Sequence, residues 1–298
     1  MRFVKKRLRE ALLKANSELR DEILHTVRQE YTVMPRFMFH QPLDYQDITF
    51  PMKPIQPDRQ SPLIPADEFR FGYSVGDSEE YLAWGAYDHN MIMEEIHRAN
   101  MDRENLRILD FGCSSGRVMR HFRGEVEGKN WKVLGCDIQA AAIESMRADN
   151  WSEGFEFFTS TTIPHLPLED NSVDVIYSFS VFTHTKYLWD SWLLELKRVL
   201  RPGGLMIHTV HLETAWSFYH TNRGEAWVQA SQSPEVYNTK EMNVDFLLHG
   251  DASVSQVFWR QKVLVNYWSR YFSEIEVLPP TEKYSFQHRV ILRKELHS

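Results

Sequence analysis

From about residue 105 the chain alternates short apolar runs with apolar stripes of helical period. Leu106, Ile108 and Leu109 read as a first buried strand, followed by Trp131 to Cys136, Glu156 to Thr159, Val173 to Ser178 and Leu205 to Val210. Between them lie a helix beginning near Arg117 (Val118, Met119, Phe122), a short helix from Ala140 to Met146, and a stripe of Trp189, Trp192, Leu193, Leu196, Val199 and Leu200. Arg201-Pro202-Gly203-Gly204 stops that last helix and turns into the fifth strand. Strands alternating with helices predict an α/β domain built on a mainly parallel sheet. The rhythm breaks at 214–261, where Trp216, Phe218, Tyr219, Trp227, Tyr237, Phe246, Phe258 and Trp259 mix with polar residues. It resumes with a helix from Val263 to Tyr271, a strand from Ser273 to Leu278, a Pro279-Pro280 turn and a strand from Phe286 to Leu292.

Upstream the pattern differs. Val4, Leu8, Leu12, Ala15, Leu19, Ile23 and Val27 recur every three to four positions, so 1–34 is expected as an amphipathic helical extension. Its first turns are basic (Arg2, Lys5, Lys6, Arg7, Arg9), which suits an anionic membrane surface, while acidic residues from Glu10 onward suit packing on its own domain or on a partner subunit, as in a homo-oligomer. Segment 35–74 is read as a connector, since Pro35, Pro42, Pro51, Pro54, Pro57, Pro62 and Pro65 fall within it. A helix is expected from about Asp77 to Asn100, and residues 75–298 form the main domain, with 214–261 inserted as a lid or acceptor-binding segment.

Composition narrows the class. A hydrophobic share of 43% is ample for a core, and a net charge of −7 argues against a nucleic-acid surface. The two cysteines, Cys113 and Cys136, have no metal-ligand spacing and are expected as free thiols. No apolar run is long enough for a transmembrane helix and the N-terminus lacks a signal peptide's apolar centre, so the cytoplasm is the expected location.

The candidate chemistry centres on Asp110-Phe111-Gly112-Cys113-Ser114-Ser115-Gly116, an acidic strand end followed by a glycine-bounded turn. Such a turn lets backbone N–H groups approach a ligand closely. The second strand ends in Asp137, placed about twenty residues on to bind a ribose diol. The acidic-x-Gly-x-x-x-Gly loop and this second acid together resemble the class I S-adenosylmethionine-dependent methyltransferases, and the spacing differs from the Gly-x-Gly-x-x-Gly of dinucleotide enzymes. Leu200-Arg201-Pro202-Gly203-Gly204 before a strand fits the same family. Ser180-Val181-Phe182-Thr183-His184 is similar to the fourth-strand exit of a small-molecule and glycan-modifying subgroup.

The resemblance spans roughly 75–212 and 262–295. It implies a Rossmann-like, seven-stranded, mostly parallel sheet with an antiparallel last strand, and S-adenosyl-L-methionine as cofactor. It places Gly112, Cys113, Ser114 and Gly116 at the methionine end, with Asp110 reaching the amino group. Asp137 falls at the ribose, Ile138 at the adenine face, and Thr162 where many relatives carry an acid for the adenine amino group. Tyr81 and Gly85, within Glu79-Glu80-Tyr81-Leu82-Ala83-Trp84-Gly85, would fold over the cofactor, and Ser180, taken as cofactor-binding, would lie near cofactor and acceptor. The Asn/Asp-Pro-Pro-aromatic motif of base-modifying enzymes is replaced by Ser178-Phe179-Ser180-Val181. Ser178 and His208 stand where catechol-type enzymes hold Mg²⁺, so no metal is expected. His208 and His211 should face opposite sides of their strand. A hydroxyl acceptor needs its proton removed, which suits a histidine: His184 first, His211 second. The expected activity is O-methylation of a small molecule or sugar hydroxyl. N-methylation of a small amine and a catalytically silent cofactor-binding subunit remain as alternatives.

Overall fold

A computed structural model describes residues 64–70, 76–225, 228, 238–249, 256–281 and 286–296. The predicted helix over 1–34, most of the connector, and Trp227 and Tyr237 of the insertion lie outside the described residues. Within them, nine strands join one sheet: β1 (Arg107–Phe111), β2 (Lys132–Asp137), β3 (Phe155–Thr159), β4 (Val173–Ser178), β5 (Leu200–His211), β6 (Phe246–His249), β7 (Gln256–Trp259), β8 (Glu274–Leu278) and β9 (Gln287–Arg293). Strands β3, β2, β1, β4 and β5 lie side by side and parallel. Strand β9 inserts antiparallel beside β5 and pairs on its other edge with β8. These seven form the mostly parallel α/β sheet with an antiparallel last strand that the resemblance implies.

The other two strands are an addition. Strands β6 and β7 form an antiparallel hairpin inside the predicted insertion, joined to the sheet through His211 and Phe258. With helix α5 (Glu213–Thr221) they enclose a small core of Trp216, Tyr219, Met242 and Phe258 among the described residues.

Helices cover both faces, α1 (Ser78–Arg98), α2 (Arg123–Lys129) and α3 (Ala140–Arg147) preceding α4 (Trp189–Val199), α5 and α6 (Gln261–Trp268) in the chain. On one face α1 and the segment after β1 bury Ile92, Ile96, Met119 and Phe122 against Ile108, Val133 and Val175. On the other, α4 and α6 bury Trp192, Leu193, Leu196 and Trp268 against Leu109, Ile176 and Met206. Full burial of a large apolar side chain contributes about 1.5–3 kcal/mol, so the period of these stripes fixes which face of each helix turns inward. Asp77 caps α1 by accepting from Glu80 N at 2.9 Å. Among the described residues no helix is long and apolar enough to cross a membrane.

Two local departures from the sequence reading have physical causes. The helix expected near Arg117 begins as a 3-10 turn at Met119–Phe122, and α-helical bonding starts only at Arg123. Gly116 holds φ at +74°, outside helical space, which delays regular winding. The fifth strand starts at Leu200, earlier than the Pro-Gly-Gly suggested, because Gly203 N donates to Lys294 O and Lys294 N to Gly204 O, carrying the chain past the proline.

Candidate active site

Strand order reverses between β2 and β4 on either side of β1, and the carboxyl ends of β1, β2 and β4 surround the resulting crevice. After β1 the chain turns at Gly112, with φ at +84°, and the N–H groups of Gly112 and Cys113 both donate to Cys136 O at 2.8 and 3.0 Å. A Cβ at Gly112 would overlap Val181 Cγ2, from the loop after β4. A Cβ at Gly116 would lie 2.7 Å from Trp151 and 2.8 Å from Met146 Sδ. Asp137 stitches the turn to β2: one carboxylate oxygen accepts from Ser114 N at 2.7 Å, the other from Gln139 N at 2.9 Å. Ile138, between them, is half-buried.

A pocket opens over this turn, lined by Arg70, Tyr81, Asp110, Gly112, Cys113, Ser114, Arg117, Val118 and Phe179. The segment leading into α1 closes one side of it. Arg70 is held by Pro65 O at 3.1 Å and Ser78 Oγ at 2.9 Å, and lies 5.1 Å from the Tyr81 ring centre. Tyr81 OH shares a 2.9 Å hydrogen bond with Ser115 Oγ, and Ser114 Oγ donates to Phe69 O at 3.2 Å. Below, Arg117 forms a 2.5 Å ion pair with Asp88 of α1, and both side chains are almost fully buried. Burial pushes the Asp110 carboxyl up to about 8, Asp137 and Asp88 adding to the effect while Tyr177 and Arg117 oppose it. Burial likewise raises the Cys113 and Cys136 thiols, so neither is a thiolate at neutral pH.

Three features mark this pocket: a buried carboxyl group at each of two successive strand ends, a turn whose Gly112 and Gly116 positions admit no side chain, and a guanidinium and a carboxyl in one lining. Residues 109–208 match the family described as Methyltransferase domain. Residues 109–208 are a methyltransferase domain of the class I, S-adenosylmethionine-dependent kind. Over 129 residues it is 30% identical to malonyl-(acyl-carrier protein) O-methyltransferase of Yersinia pestis, covering 43% of this chain and 44% of that one. Over 132 residues it is 31% identical to the same-named enzyme of Pectobacterium atrosepticum, covering 42% and 48%. It is also 30% identical over 106 residues to tRNA N(3)-methylcytidine methyltransferase Mettl2 of Drosophila melanogaster, covering 34% and 33%. The chain thus spans less than half the length of each.

The residues present fit the methyltransferase cofactor. One end of S-adenosylmethionine carries an ammonium and a carboxylate, matching Asp110 and Arg70, and Gly112, whose Cβ direction is filled by Val181, brings its backbone to the pocket lining. The structure brings Tyr81, Asp110, Gly112, Cys113 and Ser114 together around the pocket, with Asp137 bonded to Ser114 at its edge. Gly85 is placed elsewhere: a Cβ there would overlap the Arg117 carbonyl and approach His121, so its lack of a side chain lets α1 close on the backbone beneath the pocket. Thr162 sits half-buried in the loop after β3, next to a Thr161 Oγ1 turn bonded to Ile163 N at 3.2 Å.

The exit of β4 supplies the other wall. Ser178 Oγ lies 2.7 Å from His208 Nδ1, and the His208 ring packs against Phe182, turned toward the α4–α6 layer. Burial drops its pKa to about 3, so it is neutral and structural. Three residues on, His211 faces the insertion instead, as strand alternation requires, stacked 5.1 Å from the Phe258 ring centre and 5.6 Å from Tyr219. It is 2% exposed, and its Nδ1 has no hydrogen-bond partner among the described residues. Burial, helped by the nearby charge of His184, holds its pKa well below the usual imidazole range. His184 itself is exposed, its N–H bonded to Val181 O at 2.8 Å. Ser180, at φ +58°, is fixed by Thr209 and Gln287.

The motifs do not disclose Arg70, the Arg117–Asp88 pair or Gln287. Arg70 lies just past the proline-rich segment, and only the return of α1 over the glycine turn gives it a place in the pocket. Arg117 was visible as the residue after Gly116, but its partner is on another helix. A glutamine opening the last strand carried one signal: an uncharged polar residue before an apolar run, in a strand expected to lie inside the sheet.

Proposed function

We propose that this chain transfers a methyl group from S-adenosylmethionine to a hydroxyl oxygen of a small molecule or sugar. The observation that carries the reading is the pair of buried carboxyl groups, Asp110 and Asp137, beside a turn whose Gly112 and Gly116 positions admit no side chain. Asp110 and Arg70 receive the ammonium and carboxylate of the cofactor. Backbone at Gly112, Cys113, Ser114 and Gly116 approaches its methionine end, with Tyr81 closing over it. Asp137 holds the ribose diol, Ile138 the adenine face and Thr162 its edge. When bound, the cofactor supplies a methyl on a sulfonium, a good leaving group, so the protein's main task is alignment of acceptor and methyl. Ser180 lines the passage between them. His184, exposed at the crevice, takes the hydroxyl proton on its ring as the new C–O bond forms. His211, kept neutral, is suited to a hydrogen bond with the acceptor more than to proton removal, because its depressed basicity weakens it as a base.

The names of the relatives support oxygen as the acceptor atom in two cases and nitrogen in the third. The deciding experiment is incubation with panels of hydroxylated aromatics, sugars, carboxylic acids and amines, read by product mass and fragmentation. A methyl ether supports the reading. A methyl ester or a methylated amine as the sole product overturns it.

Two consequences concern the cofactor alone. Gly112→Ala should weaken S-adenosylhomocysteine binding by at least about tenfold, since its Cβ overlaps Val181 and alanine disfavours φ near +84°. Val181→Ala in the same chain relieves the overlap and should recover part of that loss in calorimetric titration, whereas no recovery would place the damage in the backbone alone.

The second is a pH dependence. With a pKa raised to about 8 against about 3.9 unfolded, Asp110 is protonated in the free folded protein at neutral pH. Its contribution to stability is therefore full below about pH 4 and is lost as pH rises to about 8. Pairing with the cofactor ammonium demands the carboxylate, so binding should release a proton below pH 8, and affinity should rise with pH by up to about tenfold per unit until then. Titrations in buffers of different ionisation enthalpy measure that proton. Asp110→Asn should abolish its release.

A further inference from the structure

Gln287 opens β9, 6% exposed, paired in register with His211 at the end of β5. Its carboxamide meets Ser180 Oγ through Nε2 at 2.9 Å and Oε1 at 3.1 Å, and its Nε2 lies 3.4 Å from His211 Nε2. Ser180 has φ at +58°, a conformation that residues other than glycine seldom adopt and that surrounding contacts must hold in place. The contacts are explicit: Ser180 N donates to the buried Thr209 hydroxyl at 2.7 Å, Ser180 O accepts from Thr183 Oγ1 at 2.9 Å, and the side chain is tied to Gln287. The next residue, Val181, fills the space beside Gly112 that a Cβ would take, and its carbonyl anchors His184 N.

We propose that Gln287 is a positioning residue for methyl transfer: through Ser180 it fixes the loop after β4, which seats Val181 against the glycine turn and presents His184 to the crevice. This rests on the cofactor reading above. A carboxamide suits the position because it both donates and accepts while adding no charge beside neutral His211. Gln287 touches neither cofactor nor acceptor in this account. Its effect reaches both through one strained residue.

The test uses the full chain and reads S-adenosylhomocysteine affinity by calorimetry, kcat and acceptor KM by product mass, and melting temperature. Gln287→Met keeps the volume but loses both ties. It should weaken S-adenosylhomocysteine binding about fivefold and lower kcat about tenfold, with acceptor KM changed less than about twofold. Gln287→Glu keeps an acceptor for the Ser180 hydroxyl but loses the donor and adds a charge beside His211, so it should recover only part of the affinity that methionine loses, an ordering a purely steric role would not produce. In a Ser180→Gly background, where the tie is already absent, Gln287→Met should change either quantity by less than about twofold. Wild-type affinity and kcat in Gln287→Met, or full additivity with Ser180→Gly, overturns the proposal while leaving the methyltransferase reading intact. A wild type that binds no S-adenosylhomocysteine overturns both. If the methionine variant does not fold, Gln287→Asn, too short to span Ser180 and His211, replaces it with the same expectation and the same contrary outcomes.

Discussion

Asp137→Ala is expected to weaken S-adenosylhomocysteine binding by about 2 kcal/mol or more, roughly 30-fold, the scale of charge-assisted hydrogen bonds lost to a ligand diol. The structure adds a second source of loss. The same carboxylate accepts from Ser114 N and Gln139 N, so alanine also frees the glycine turn from β2. Asp137→Asn separates the two. The amide oxygen still accepts one backbone N–H, so the turn keeps part of its anchor while the negative charge is gone. A smaller loss in asparagine than in alanine assigns the difference to the turn. Equal losses assign the whole effect to the charge. Calorimetric titration of the three proteins gives the answer, and an alanine variant that binds as tightly as wild type would remove Asp137 from the site.

The largest effect on stability is expected beneath the pocket. Arg117 and Asp88 are 6% and 0% exposed and joined at 2.5 Å, tying α1 to the backbone that follows the glycine turn. Removing one partner leaves an uncompensated buried charge, which costs about 3–5 kcal/mol. Asp88→Ala should therefore lower the urea midpoint sharply and, through Arg117, disturb the pocket above. Replacing both residues with apolar side chains of similar volume, as in Asp88→Leu with Arg117→Met, should recover most of the loss, because a buried pair contributes little beyond an apolar substitute. Equilibrium unfolding in urea measures both steps. A single variant within about 1 kcal/mol of wild type would show that the pair is not buried in solution as it is here.

The fold was legible where one signal dominated. The strands β1, β2, β4 and β5 carry apolar runs that only a sheet covered on both faces can bury, and α4 carries a stripe of Trp192, Leu193, Leu196 and Val199 with one inward face. The strand-end acids were legible as acids closing apolar runs, Asp110 just before Gly112 and Asp137 at the end of the next strand. The hairpin β6–β7 was not, because Phe246 to His249 and Gln256 to Trp259 are four-residue runs whose pairing is set by the end of β5 rather than by their own periodicity. Gly85 carries a packing role that residue type alone does not disclose. A Cβ there would meet the Arg117 carbonyl and His121, partners that only the fold brings together. Arg117 with Asp88, and Gln287 with Ser180, depend on helices and strands meeting in space. Their partners are 29 and 107 positions away, so no local pattern contains them.

The central claim is that the crevice above Asp110 and Asp137 binds S-adenosylmethionine. Calorimetric titration of S-adenosylhomocysteine into the full wild-type chain tests it most directly, since it needs no acceptor. One site with micromolar affinity, releasing a proton below pH 8, is the expected result. A folded chain that shows no binding heat for either S-adenosylhomocysteine or S-adenosylmethionine would contradict it.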